Sequence, residues 1–145
     1  MQDYVRQGSD WSYIEQNIIK ARGQGIEIGI THTLQAMSIL HLSDLLVWAH
    51  KNKLPIDVTP LRKPDYLSLS VLPDYLKEYA LKKLFATEQQ NKALESQIQS
   101  ITKLIRSMGS NQNLFQKFLD YVVWYEQKSL QKLQDLCPEF YKTIS

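Results

Sequence analysis

Apolar side chains recur along this chain with two different periods. Trp11, Ile14, Ile18 and Ala21 fall three or four residues apart, the spacing that gathers side chains on one face of a helix. Ser9 or Asp10 can accept a bond from a free N–H of the first turn, and Gly23 and Gly25 supply a stop. From Ile26 to Thr33 the period drops to two. Ile26, Ile28 and Ile30 point one way, and Glu27, Gly29, Thr31 and Thr33 point the other, as in a half-buried strand. The pattern then predicts a helix over 43–53, with Ser43 as its cap and Leu45, Leu46 and Ala49 as its buried face. Lys51 and Lys53 suit its negative end. After Pro55, "IDVTPL" at 56–61 returns to period two, with Ile56 and Val58 on one face and Asp57 and Thr59 on the other.

Two strands joined by a helix-bearing crossover of about twenty residues must be parallel if they are neighbours. Strands covered by helices on both faces are near-continuously apolar. Here only one face is, which fits an open barrel with a polar interior or a two-layer sheet with one wetted face. Spacing alone does not separate the two. Pro60, Pro64 and Pro73 keep residues 60–75 extended or turning. A helix is expected from Asp74 to Phe85, with room to continue through 86–107, where Leu94, Ile98, Ile101 and Ile105 form a seam. That seam spans barely two heptads, so it suits packing within the domain better than a free coiled coil. "GSNQN" at 109–113 is a polar break. A last helix over 114–136 would carry Phe115, Phe118, Leu119, Val122, Leu130 and Leu133 on one side and end before Pro138.

Composition narrows the function classes. At 145 residues with 43% hydrophobic and 22% charged side chains, the chain reads as one foldable domain. The net charge of +2 is spread evenly: ten Lys/Arg face nine Asp/Glu over 1–85, and seven face six over 86–145. No basic stripe interleaved with aromatics marks a nucleic-acid partner. No apolar run approaches the ~20 residues of a membrane span, and the opening "MQDYVRQGSDW" has no apolar signal-peptide core. The expectation is a cytoplasmic chain.

The candidate chemistry is thin. His32, His41 and His50 lie nine residues apart, unlike the close pairs of zinc sites, and read as packed or surface histidines. Cys137, the single cysteine, can neither form an internal disulfide nor hold a cluster alone. Glu27 and Asp57 sit at the N-terminal ends of their strands, whereas α/β active sites lie at the carboxyl ends. Thr31, Thr33 and Thr59 are better placed to bind a ligand, but a hydroxyl does no chemistry without an activating base.

The stretch "YVRQGSDWSYIEQNIIKARGQGIEIGITHTLQAMSILHLSDLLVWAHKN" resembles the second half of a radical SAM core in proteins with a twitch-type C-terminal region. In that family an R-x-G-S turn opens a helix, followed by a strand with polar residues at its end and a crossover. "PLRKPDYLSLSVLP" is similar to the family's post-strand segment, and "FLDYVVWYEQKSLQKLQDLCPEFYK" to its closing helix and terminus. The resemblance covers most of the chain. It implies an α/β fold forming the C-terminal part of a partial (β/α)₆ barrel, with two parallel strands in residues 1–85 and a helical C-terminal region over 86–145. In the family, a C-x-x-x-C-x-x-C loop holds a [4Fe–4S] cluster whose open iron binds S-adenosylmethionine. That loop is absent from this sequence, so the chain alone is expected to bind no cluster and to be inactive. By resemblance, Arg6, Thr31, Thr33 and Thr59 line the S-adenosylmethionine or substrate pocket, although position 31 is Thr where relatives often have Asn. The implied partner is the missing N-terminal barrel half, or a second copy of the chain. The competing reading is a helical module, without enzymatic activity, that binds another protein.

Overall fold

The computed structural model describes residues 1–6, 8–111, 113–129 and 131–141. After a single helical turn at Gln2–Val5, helix α1 runs Trp11–Gly23. It starts where Asp10, in extended backbone, accepts the Tyr13 N–H at 3.2 Å. Strand β1 (Ile30–Leu34), a 3₁₀ turn (Ala36–His41), helix α2 (Leu42–Lys51) and strand β2 (Ile56–Pro60) follow. The two strands are parallel, with Ile30 opposite Ile56 and Leu34 opposite Pro60. The fold is mixed α/β and mostly helical, with one two-stranded sheet among the described residues.

Several element boundaries differ from the sequence reading. The first strand is five residues, 30–34 instead of 26–33, because a strand needs a partner and β2 begins only after Pro55. Ile26 is 53% exposed, and Pro55, whose carbonyl takes the Ile30 N–H, has no N–H with which to continue the ladder toward Ile28. Ser43 caps nothing. It is buried one residue inside α2, because the preceding residues already wind as a 3₁₀ turn, in which the Ser38 hydroxyl accepts the Gln35 N–H at 3.4 Å. Lys53, beyond the helix end, takes a φ of 52° that turns the chain toward β2.

The C-terminal half is folded back more sharply than its periodicity suggests. Helix α3 (Asp74–Gln90) and helix α4 (Glu95–Ser107) are separated by a 3₁₀ turn at Lys92–Leu94. The seam Leu94, Ile98, Ile101 and Ile105 is buried, as its spacing predicts. Helix α5 covers Asn113–Glu126 and does not reach 136. The chain turns after Glu126, whose carboxylate accepts the Leu133 N–H, and then makes a short helix at Leu133–Leu136. Phe118, Val122 and Leu133 are all buried, so the apolar positions meet one core by a turn rather than along one straight face. Leu130 lies outside the described residues. One contiguous core runs from Tyr4 through Leu46 and Leu84 to Ile105, Phe118 and Phe140, continuous across the 85/86 boundary. No helix among the described residues is long and apolar enough to cross a membrane.

Candidate functional site

The two sides of the small sheet are chemically opposite. Alternation along each strand sends successive side chains to opposite faces. Ile30, Leu34, Ile56 and Val58 turn toward the helices, where they are buried or half-buried, and Thr31, Thr33, Asp57 and Thr59 turn to the other side, where all four are exposed. The parallel register sets Thr31 beside Asp57 and Thr33 beside Thr59. Three of the four expected pocket residues thus share one polar face, with Asp57 added. Among the described residues none of these three threonine hydroxyls has a hydrogen-bond partner, so each is free to donate and accept. The fourth, Arg6, is exposed and is placed elsewhere: its charge is felt at His32, which alternates to the helix-covered side.

The sheet's two edges also differ. Ile30 donates to the Pro55 carbonyl at 2.8 Å, and Leu61 donates to the Leu34 carbonyl at 2.8 Å. In a parallel ladder, alternate residues bond to opposite sides, so these bonds fix the phase and aim the N–H and C=O groups of Thr31 and Thr33 at the outer edge of β1. Among the described residues nothing meets them there. The outer edge of β2 is met at one point by a side chain. Gln97 of α4 donates its side-chain amide to the Ile56 carbonyl at 2.8 Å, and Pro60 has no N–H to offer.

On the helix side lies a cleft of about 280 Å³ between the N-terminal residues, α1, β1 and α2. Its apolar walls are the Trp11 and Trp48 indoles, packed edge to face with centroids 4.9 Å apart, together with Leu45. Trp48 donates its indole N–H to Glu15. Asp3, His32, Ser38, His41 and Asp44 supply the polar lining. Asp3 accepts the Trp11 N–H at 2.7 Å and the Ser9 hydroxyl at 3.4 Å. His41 donates from Nε2 to the Leu136 carbonyl at 3.2 Å and sets Nδ1 3.4 Å from Asp44. His32 Nε2 lies 3.5 Å from the Ser38 hydroxyl, and burial, with Arg6 adding to it, lowers the imidazole's pKa from its usual 6.5. A neutral imidazole beside a serine has two parts of an activated nucleophile, but the neighbouring charge is a cation and, among the described residues, no carboxylate orients the ring. Ser38 also donates to the Gln35 carbonyl at 3.3 Å, so its hydroxyl belongs to the turn. His50 is exposed at the end of α2.

Period-two alternation places the threonines, but no sequence pattern announces this cleft. Periodicity gives Trp11 only a helix-face role, and its partner Trp48 lies 37 positions away with no local signal joining them. Two further polar groups are structural. Lys77, 7% exposed, donates to the Met108 and Gly109 carbonyls at 3.0 Å and to the Ser110 hydroxyl at 2.8 Å, closing the end of α4. Cys137 is 1% exposed, and burial pushes its thiol up to about 12, far from the thiolate that ligation requires. The residues present therefore do not fit an iron–sulfur cluster, which takes several thiolates. No protein-family model, curated protein or solved structure matches this chain.

Proposed function

We propose that this chain is the C-terminal part of a radical SAM-type barrel, split from or continuing a segment that carries the cluster-binding cysteines. In this reading Thr31, Thr33 and Thr59 line the pocket for S-adenosylmethionine or substrate, and Arg6, on the other side of the sheet, takes no part in it. The observation that carries it is the one-sided sheet: a polar face with unpartnered hydroxyls and an open β1 edge, beside a β2 edge where Gln97 takes the Ile56 carbonyl. Two parallel strands make a poor sheet alone. Helix α1 is fastened to α2 by Trp48 and by Arg22, which donates to the Asn52 carbonyl. In this reading α1 is the crossover helix that follows a preceding parallel strand, and that strand would fall on the open edge. The chain's own contribution is then binding and orientation by hydroxyls, while the electron-transfer chemistry belongs to the cluster-bearing segment.

The test is anaerobic co-expression with the polypeptide encoded immediately upstream. The expected result is a complex that retains this chain, holds roughly four iron and four sulfide, and forms 5′-deoxyadenosine from S-adenosylmethionine on reduction. Thr31→Val with Thr59→Val should weaken S-adenosylmethionine binding without changing iron content. Failure to form a complex, or a complex without iron, would overturn the reading. It would favour the helical interaction module instead, for which Val123 and Trp124, 64% and 57% exposed on α5, offer an apolar contact.

A further inference from the structure

The cleft on the helix side of the sheet plays no part in that reading. The Trp48 N–H is committed to Glu15, so the indoles offer their ring surfaces and no donor from Trp48. Asp3 uses Oδ1 for Trp11 and Ser9, which leaves Oδ2 without a partner among the described residues. Asp44, 66% exposed in its side chain, meets His41 through Oδ2 alone, which leaves Oδ1. The acids at and behind the wall are Asp3, Asp44 and Glu15; against them stand Arg6, nearest His32, and the α-ammonium of Met1, which lines the cleft and whose charge is felt at Cys137. A His32 held neutral does not offset the acids. What remains available includes the Trp11 indole N–H, a donor, but the two carboxylate oxygens and the two aromatic faces all favour positive charge. A metal ion is not the match, since among the described residues no three histidine, cysteine or acidic side chains come together to hold one.

We propose that this cleft binds a small organic ammonium compound, its charge held between Asp3 and Asp44 and its apolar body against Trp11, Trp48 and Leu45. At about 280 Å³ the space lies at the lower end of ligand pockets, roughly 300 Å³ upward, and suits an arylalkylamine rather than a nucleotide. The site faces away from the threonines, so it stands whether or not the chain belongs to a barrel.

Three probes of matched size and different charge test it: phenethylamine, phenylacetate and phenethyl alcohol, titrated into the full chain by calorimetry and by tryptophan fluorescence. Phenethylamine should bind at least about tenfold more tightly than either of the others. Asp44→Asn, a change at a largely exposed side chain that leaves the fold intact, should remove most of that preference. Trp124→Phe, on α5 and outside the cleft, should leave both affinity and fluorescence response in place. Equal binding of the three probes, no binding of phenethylamine, or an unchanged preference in Asp44→Asn would overturn the proposal.

Discussion

His32 shows how a single residue couples the sheet to the rest of the fold. It alternates to the covered face of β1, lies 3.5 Å from Ser38, and has its proton disfavoured first by burial and then by Arg6. An unfolded chain regains a histidine of ordinary pKa near 6.5. Between that value and the depressed folded one the unfolded state binds more protons, so stability falls as pH drops through the window and levels off below it. Denaturation midpoints at about pH 7.5 and about pH 5.5 should therefore differ more in the native chain than in His32→Gln. An equal pH response in the two would mean that His32 charges freely in the fold. This much could not be read from the sequence: alternation places His32 on the apolar side, but Arg6 and Ser38 reach it only through tertiary contacts.

At the scale of the element, α1 depends on its ends. None of its side chains is fully buried, so it gains little from the core, and its first N–H groups are held by two acids. Asp10 accepts from Tyr13 and Asp3 accepts from Trp11. Asp10→Ala should cost about 0.5–2 kcal/mol, seen in chemical denaturation and as faster amide exchange in the first turn of α1, with the exchange of α4 unchanged. This start was legible because a cap is a local signal, as were the parallel pairing and the seam of α4. Ends set by distant partners were not legible. Nothing near Ile26 announces that Pro55 will meet Ile30 and end the ladder. Nothing near Glu126 announces that it will take the Leu133 N–H and stop α5 well short of 136. The threonine face followed from period-two alternation alone, while the cleft needed Trp11, Trp48 and Asp3 to meet from separate elements.

Across the whole molecule, the first residues and α5 hold each other. Tyr4 is fully buried, donates to Glu126 at 3.0 Å and meets the Tyr125 ring edge-on at 5.5 Å. Tyr125 returns the contact by donating to the Tyr4 and Val5 carbonyls at 2.7 and 3.0 Å. Burial and the Glu126 hydrogen bond both push the Tyr4 phenol upward, which keeps it a neutral donor. Tyr4→Ala should therefore cost about 3–5 kcal/mol and speed amide exchange in α5, more than a hundred residues away in sequence. Loss confined to the N-terminal turn would show that the two ends are not coupled. The amide of Gln97 on the Ile56 carbonyl has a consequence at the same scale. A sheet with two free edges can recruit copies without limit, each new strand exposing another. Here one margin already carries the Gln97 amide and ends in a proline with no N–H, so two molecules joined through β1 would offer a third only these obstructed margins. Growth through this sheet is thus disfavoured beyond the pair, which leaves the chain one adhesive edge and a second that resists another strand.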